Sequence, residues 1–66
     1  MTLAEICNAR DAVNLARKAN SEERKRLRLV GASFPERHAL ALKATELARE
    51  AARLRDLHWA AIDATV

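Results

Sequence analysis

One glycine, one proline and one cysteine stand in 66 residues, with no tyrosine, one Trp and one Phe. Each scarcity closes off a class of protein. A lone Cys7 excludes an internal disulfide. Two histidines without a Cys-x-x-Cys or His-x-x-x-His pair argue against a structural zinc site, so no metal or cofactor is expected. No glycine-rich phosphate loop, nucleophile elbow or metal-binding repeat is present, so an enzyme with a small-molecule substrate is not expected. No apolar run approaches membrane-spanning length. Met1–Glu5 also lack the basic and apolar regions of a leader, which with the single thiol makes the reducing cytoplasm the expected compartment.

The chain is instead rich in alanine and charge. Half of its residues are hydrophobic by type, but 15 of them are alanines, so the core must be thin and the helices closely spaced. Twelve basic and nine acidic residues give a formal charge of +3, a mild bias toward acidic partners or nucleic acid. The composition is that of coiled coils and long helices. A chain this short buries too little apolar surface to stand comfortably alone, and association is the remedy left open once disulfides and metals are excluded.

The only glycine and the only proline both fall in Gly31-Ala32-Ser33-Phe34-Pro35-Glu36, between two arms of similar length. Thr2-Leu3-Ala4-Glu5 fits a capping box at the start of the first arm. Ile6, Ala9, Val13 and Ala16 follow in an a/d heptad rhythm, continued by Asn20, Glu23, Leu27 and Val30. The polar middle, Asn20-Ser21-Glu22-Glu23, allows either a second helix start or one continuous helix with a polar a position; the continuous helix is favoured, since no Gly or Pro interrupts the arm. Ser33-Phe34-Pro35-Glu36 reads as a second capping box, and Leu40, Leu47, Leu54 and Ala61 recur by sevens after it, with Ala44, Ala51, His58 and Ile62 in the same arc.

The expected fold is therefore all-α: a single helical-hairpin domain over 1–66, with an antiparallel pair at about 3–30 and 34–64 joined by a turn at 31–33. Two such hairpins would dimerise into a four-helix bundle. Leu3, Ile6, Val13, Leu27, Leu40, Leu47, Leu54, His58 and Ile62 are the expected self-association seam.

Three surfaces are candidates for function. Arg10, Arg17 and Arg24 are spaced by sevens and share a helical face, with Lys18, Lys25 and Arg28 beside them; Arg10, Arg17, Arg24, Lys25 and Arg28 are the nucleic-acid candidates. The plainer reading of this row is a solvated face whose long stems cover apolar surface. Trp59 falls at the open end of the hairpin, level with Leu3, Ile6 and Cys7, near Ile62 and Val66; it is either a binding anchor or a plug for the core. Leu29, Phe34 and Leu42 lie near the turn and complete the partner-binding candidates, with Leu15 also facing off the main stripe. His58, in the apolar arc, reads as a buried, hydrogen-bonded histidine, and Cys7 as a partly buried thiol.

The hairpin resembles the small RNA-binding hairpin dimers of plasmids through its heptad rhythm alone. In size, two arms and the turn residues Gly31-Ala32 and Pro35-Glu36 it is also similar to the co-chaperones of type III secretion needle subunits. These resemblances imply RNA binding and protein chaperoning respectively. Glu50-Ala51-Ala52-Arg53-Leu54-Arg55-Asp56 is similar to the second helix of the UvrB/UvrC interaction motif. That motif has an aromatic and a turn just before the run, where this chain has Leu47-Ala48-Arg49 inside a helix, so the resemblance ends there.

The expectation is a non-enzymatic interaction module, an adaptor, chaperone or inhibitor, homodimeric and bound to a protein partner. Its form is one often found in small proteins of bacteria and phages. The alternative is a dimeric DNA- or RNA-binding regulator.

Overall fold

The computed structural model describes residues 1–65, all but Val66, and contains two helices in antiparallel contact: α1, Leu3–Leu29, and α2, Phe34–Thr65. The expected hairpin is present, with the first arm unbroken through Asn20 and its helical boundary one residue earlier than expected.

Local chemistry explains both ends of α1. The Thr2 hydroxyl accepts the Glu5 amide at 3.1 Å, and the Glu5 carboxylate accepts the Thr2 amide at 3.1 Å, so two amides with no intrahelical partner are satisfied together. At the other end the Ala32 amide donates to the Leu27 carbonyl (2.9 Å) and the Gly31 amide to the Arg28 carbonyl (3.3 Å). This is a Schellman closure, which needs a left-handed residue, and Gly31 supplies it at φ +68°. A Cβ at Gly31 would meet nothing within 4 Å, so the need for glycine there is one of backbone conformation alone.

The expected second capping box does not form. The start of α2 is closed by the Arg37 amide donating to the Ser33 carbonyl at 3.1 Å, while the exposed Ser33 hydroxyl and Glu36 carboxylate make no reciprocal pair. Both groups face water, which satisfies them without the box.

Between the helices runs a narrow seam. Among the described residues Ile6, Leu27 and Leu54 are the buried hydrophobics, with Val13, Leu40, Leu47 and Ile62 half-buried around them. Asn20 is buried among them at 8 % exposure, and its side-chain amide donates to the Leu40 carbonyl of α2 at 3.1 Å. Leu3, expected in the seam, is 41 % exposed because it sits in the first turn, beyond the covered stretch. Leu57, three residues past Leu54 and so on the flank of the same stripe, is half-buried and joins the seam unforeseen.

The result is a rod of 51 × 15 × 13 Å. Its radius of gyration is 15.2 Å, against roughly 11 Å for a compact domain of this length. It exposes 5017 Å² where a compact chain of the same mass exposes about 4,200 Å².

The Asn20 hydrogen bond generates a direct test. Asn20→Asp is nearly isosteric but turns an acceptor toward the Leu40 carbonyl. A loss of about 1–3 kcal/mol in unfolding free energy is expected at neutral pH. Burial and the facing carbonyl raise the introduced carboxyl's pKa in the folded state. The loss should therefore shrink as pH falls and the protonated acid regains a donor. Urea unfolding at two pH values checks both the size and the sign.

Candidate functional site

The seven-residue spacing of Arg10, Arg17 and Arg24 places them one residue row beside the buried stripe of Ile6, Val13, Asn20 and Leu27. They therefore stand along one rim of the cleft where α1 meets α2. On the floor, α2 contributes small side chains: Ala44, Ala48, Ala51 and Ala52. Alanines leave the cleft open because nothing rises from the second helix to fill it.

Three hollows line this side of the hairpin. The first lies between Arg10, Asn14 and Arg17 of α1 and Arg55 of α2. The next includes Arg17, Asn20, Arg24 and Leu47, and the last Arg24, Arg28, Phe34 and Arg37. Arg17 and Arg24 each stand between two neighbouring hollows, so the three follow one another as a segmented groove along one side of the hairpin. From Arg10 to Arg28 it runs roughly 27 Å at helical rise. Six arginines line it and no carboxylate does.

Most of the ion pairs among the described residues lie outside the groove. Glu23 pairs with Arg26, Glu46 with Lys43 and Glu50 with Arg53, all within one helix. The Arg26 and Arg53 guanidiniums hold the carboxyls of Glu23 and Glu50 below the usual carboxylate range, and the Thr2 amide and hydroxyl do the same for Glu5. All three sites are open to solvent, so these pairs add little stability. Arg55 approaches Asp56 at 3.3 Å. Among the described residues, Arg10, Arg17, Arg24, Arg28 and Arg37 have no carboxylate in ion-pair range.

One groove arginine has a different partner. Arg10 Nη1 lies 2.7 Å from His58 Nδ1 across the two helices, in a partly buried contact. Arginine carries donors only, so Nδ1 is the acceptor in this contact. His58, expected as a seam residue, is thus half-buried and turned into a polar cross-link.

The other candidates are scattered. Phe34 is 74 % exposed and stacks on His38 with ring centroids 5.2 Å apart, closing the turn end of the groove beside Leu27 and Ala41. Leu29 and Leu42 each follow a covered leucine by two positions, so they point away from the seam on their own helices, and both are exposed. Trp59 is 60 % exposed in the single hairpin, with its ring tilted near His58; Val66, expected near it, lies outside the described residues. Lys25 stands one residue outside the groove rim. Cys7 is a half-buried free thiol. No group of three or more potential metal ligands occurs among the described residues, and no helix is long and apolar enough to cross a membrane.

Arg37, Arg55 and the alanine floor escaped the sequence reading. Their signal was the second arm's Ala44, Ala48 and Ala51 at helical spacing on the same side as Arg37 and Arg55, which matters only once α1 is laid alongside.

The Arg10–His58 contact ties the open ends of the helices together. His58→Ala should cost on the order of 1–2 kcal/mol of unfolding free energy, because it removes both an acceptor and part-buried ring area, and so lower the thermal midpoint. His58→Gln, which keeps an acceptor, should recover part of that loss in the same melting experiment. The chain matches no family model, and comparison with curated proteins and with solved structures finds no similar protein.

Proposed function

We propose that the chain is a small non-enzymatic protein-interaction module, an adaptor, chaperone or inhibitor that works by self-association and by docking a protein partner in the cytoplasm. The observation that carries this reading is the imbalance of its apolar residues. Three large hydrophobics are buried, while Met1, Leu3, Leu15, Leu29, Val30, Phe34, Leu42 and Trp59 are exposed. Single exposed leucines are ordinary, but this number on a rod of 66 residues leaves apolar surface on several sides at once. The inner seam is already used in joining α1 to α2. Association of two hairpins into a four-helix bundle would therefore draw on the outward residues Leu15, Leu29, Leu42 and Trp59.

The second reading is a dimeric regulator that binds DNA or RNA through Arg10, Arg17, Arg24, Lys25 and Arg28. The observation in its favour is the arginine row free of carboxylates. Its mark would be binding that weakens steeply with added salt.

Light-scattering mass after size exclusion, over a range of concentrations, checks self-association. The mass should climb from 7.4 kDa to at least double that value in the micromolar range. Trp59→Ala should shift the rise to higher concentration, roughly tenfold for an anchor worth about 1.4 kcal/mol. A mass fixed at the monomer value, unaffected by Trp59→Ala, would contradict the self-association part of the proposal.

A further inference from the structure

The groove between the helices has a chemical character that neither helix has alone. Its rim on α1 is Arg10, Arg17, Arg24 and Arg28, its rim on α2 is Arg37 and Arg55, and its floor is mostly alanine. Positive charge therefore stands on both sides of a strip shallow enough for another backbone to approach closely. We propose that this groove is the docking site for an amphipathic helix of a protein partner, with acidic residues along both edges of its apolar stripe. The third helix would complete a three-helix bundle with α1 and α2. This inference rests on the reading of the chain as a protein-binding module and names the chemistry of its partner.

Four observations select this occupant. The first is charge: six arginines line the groove without a carboxylate, and five of them have no ion pair within the described chain. A docked acidic helix supplies the missing partners, and guanidinium matches a carboxylate with two parallel hydrogen bonds. The second is spacing. Arg10, Arg17 and Arg24 recur by sevens, a rise of roughly 10.5 Å each, which is the repeat of edge positions on a helix packed in heptad register.

The third is the choice of cation. The chain has nine arginines and three lysines, and all six groove cations are arginine. Lys18 and Lys25 immediately follow Arg17 and Arg24, about 100° further round the helix, and neither lines the groove. Protein interfaces favour arginine and disfavour lysine in this way, since the guanidinium is easier to strip of water. The fourth is the apolar anchor point. At the turn end Leu27, Phe34 and Ala41, together with His38, Arg24, Arg28 and Arg37, line a hollow with room for a large apolar side chain of the partner. Along the Arg10–Arg24 stretch the lining carries no aromatic on which a nucleic-acid base could stack.

The test uses the full chain and three fluorescent probes at physiological salt. One is a 21-residue helical peptide with leucine and alanine along its stripe and glutamates on both edges. The second has the same composition with the glutamates moved to the far side. The third is a 20-nucleotide single-stranded RNA. Edge-glutamate peptide should bind about tenfold or more tightly than the far-side peptide. Arg17→Glu with Arg24→Glu should abolish that preference. Lys18→Glu with Lys25→Glu, which makes the same charge change just outside the groove, should leave most of it. Arg17→Gln with Arg24→Gln, checked for helicity by circular dichroism, covers the case in which the glutamate pair perturbs the fold.

Equal binding of the two peptides, or equal losses from the arginine and lysine pairs, would overturn the groove as a helix site. RNA that binds more tightly than the edge-glutamate peptide and displaces it would overturn it in favour of nucleic acid. Failure of the peptide test alongside concentration-dependent mass that responds to Trp59→Ala would remove the groove while leaving the interaction module. Failure of both would remove the module as well.

Discussion

A single buried amide ties the two helices together at the middle of this hairpin. Asn20 is the one buried polar residue among those described, and its donor is committed to the Leu40 carbonyl on the opposite helix. A seam of Leu, Ile, Val and Ala would tolerate sliding, because such side chains are nearly interchangeable along the stripe. The short connection, residues 30–33, limits how far α2 can slide, and the Asn20 amide adds a tie at one level of the seam. Its acceptor is a backbone carbonyl, a group that every turn of α2 repeats, so what the bond secures is a satisfied donor inside an apolar seam; left unpaired, that donor would cost about 1–3 kcal/mol. The tie lies near the middle of the rod, where neither the turn nor the caps reach.

The other features follow from that alignment. With Asn20 opposite Leu40, the arginines of α1 stand across from the alanines of α2, and Arg37 and Arg55 fall on the same side. The alanines hold the helices close but bury little surface, so the pair is narrow and leaves much of its apolar surface exposed. The Arg10–His58 contact adds a second polar tie near the open end, where the fully buried hydrophobics are Ile6 and Leu54.

Much of the architecture could be read in the sequence because it depends on local signals. The Thr2–Glu5 box, the left-handed Gly31 and the heptad leucines each act within a few residues, and each is present in the structure. The continuity of α1 through Asn20 was also legible, since a polar a position is a recognisable exception to an apolar stripe. What could not be read needs both helices at once. The groove joins arginines of one arm to alanines of the other, and Arg10 meets His58 across 48 positions of chain. One local signal also failed. Ser33 and Glu36 have the capping-box spacing but face water, which competes for the same groups. The sequence leaves Trp59 open between anchor and plug; in the single hairpin it is five residues past Leu54, which carries it off the covered arc and outward.

The most direct measurement is an isotope-filtered nuclear Overhauser experiment on a mixture of nitrogen-labelled and carbon-labelled chains, beside a uniformly labelled sample. An intramolecular hairpin in this register gives contacts from the Asn20 side-chain amide to protons of Leu40 and Ala44 in the uniform sample and none between differently labelled chains. Contacts from that amide to another stretch of α2, or contacts seen only between chains, would contradict the register and the open groove that depends on it.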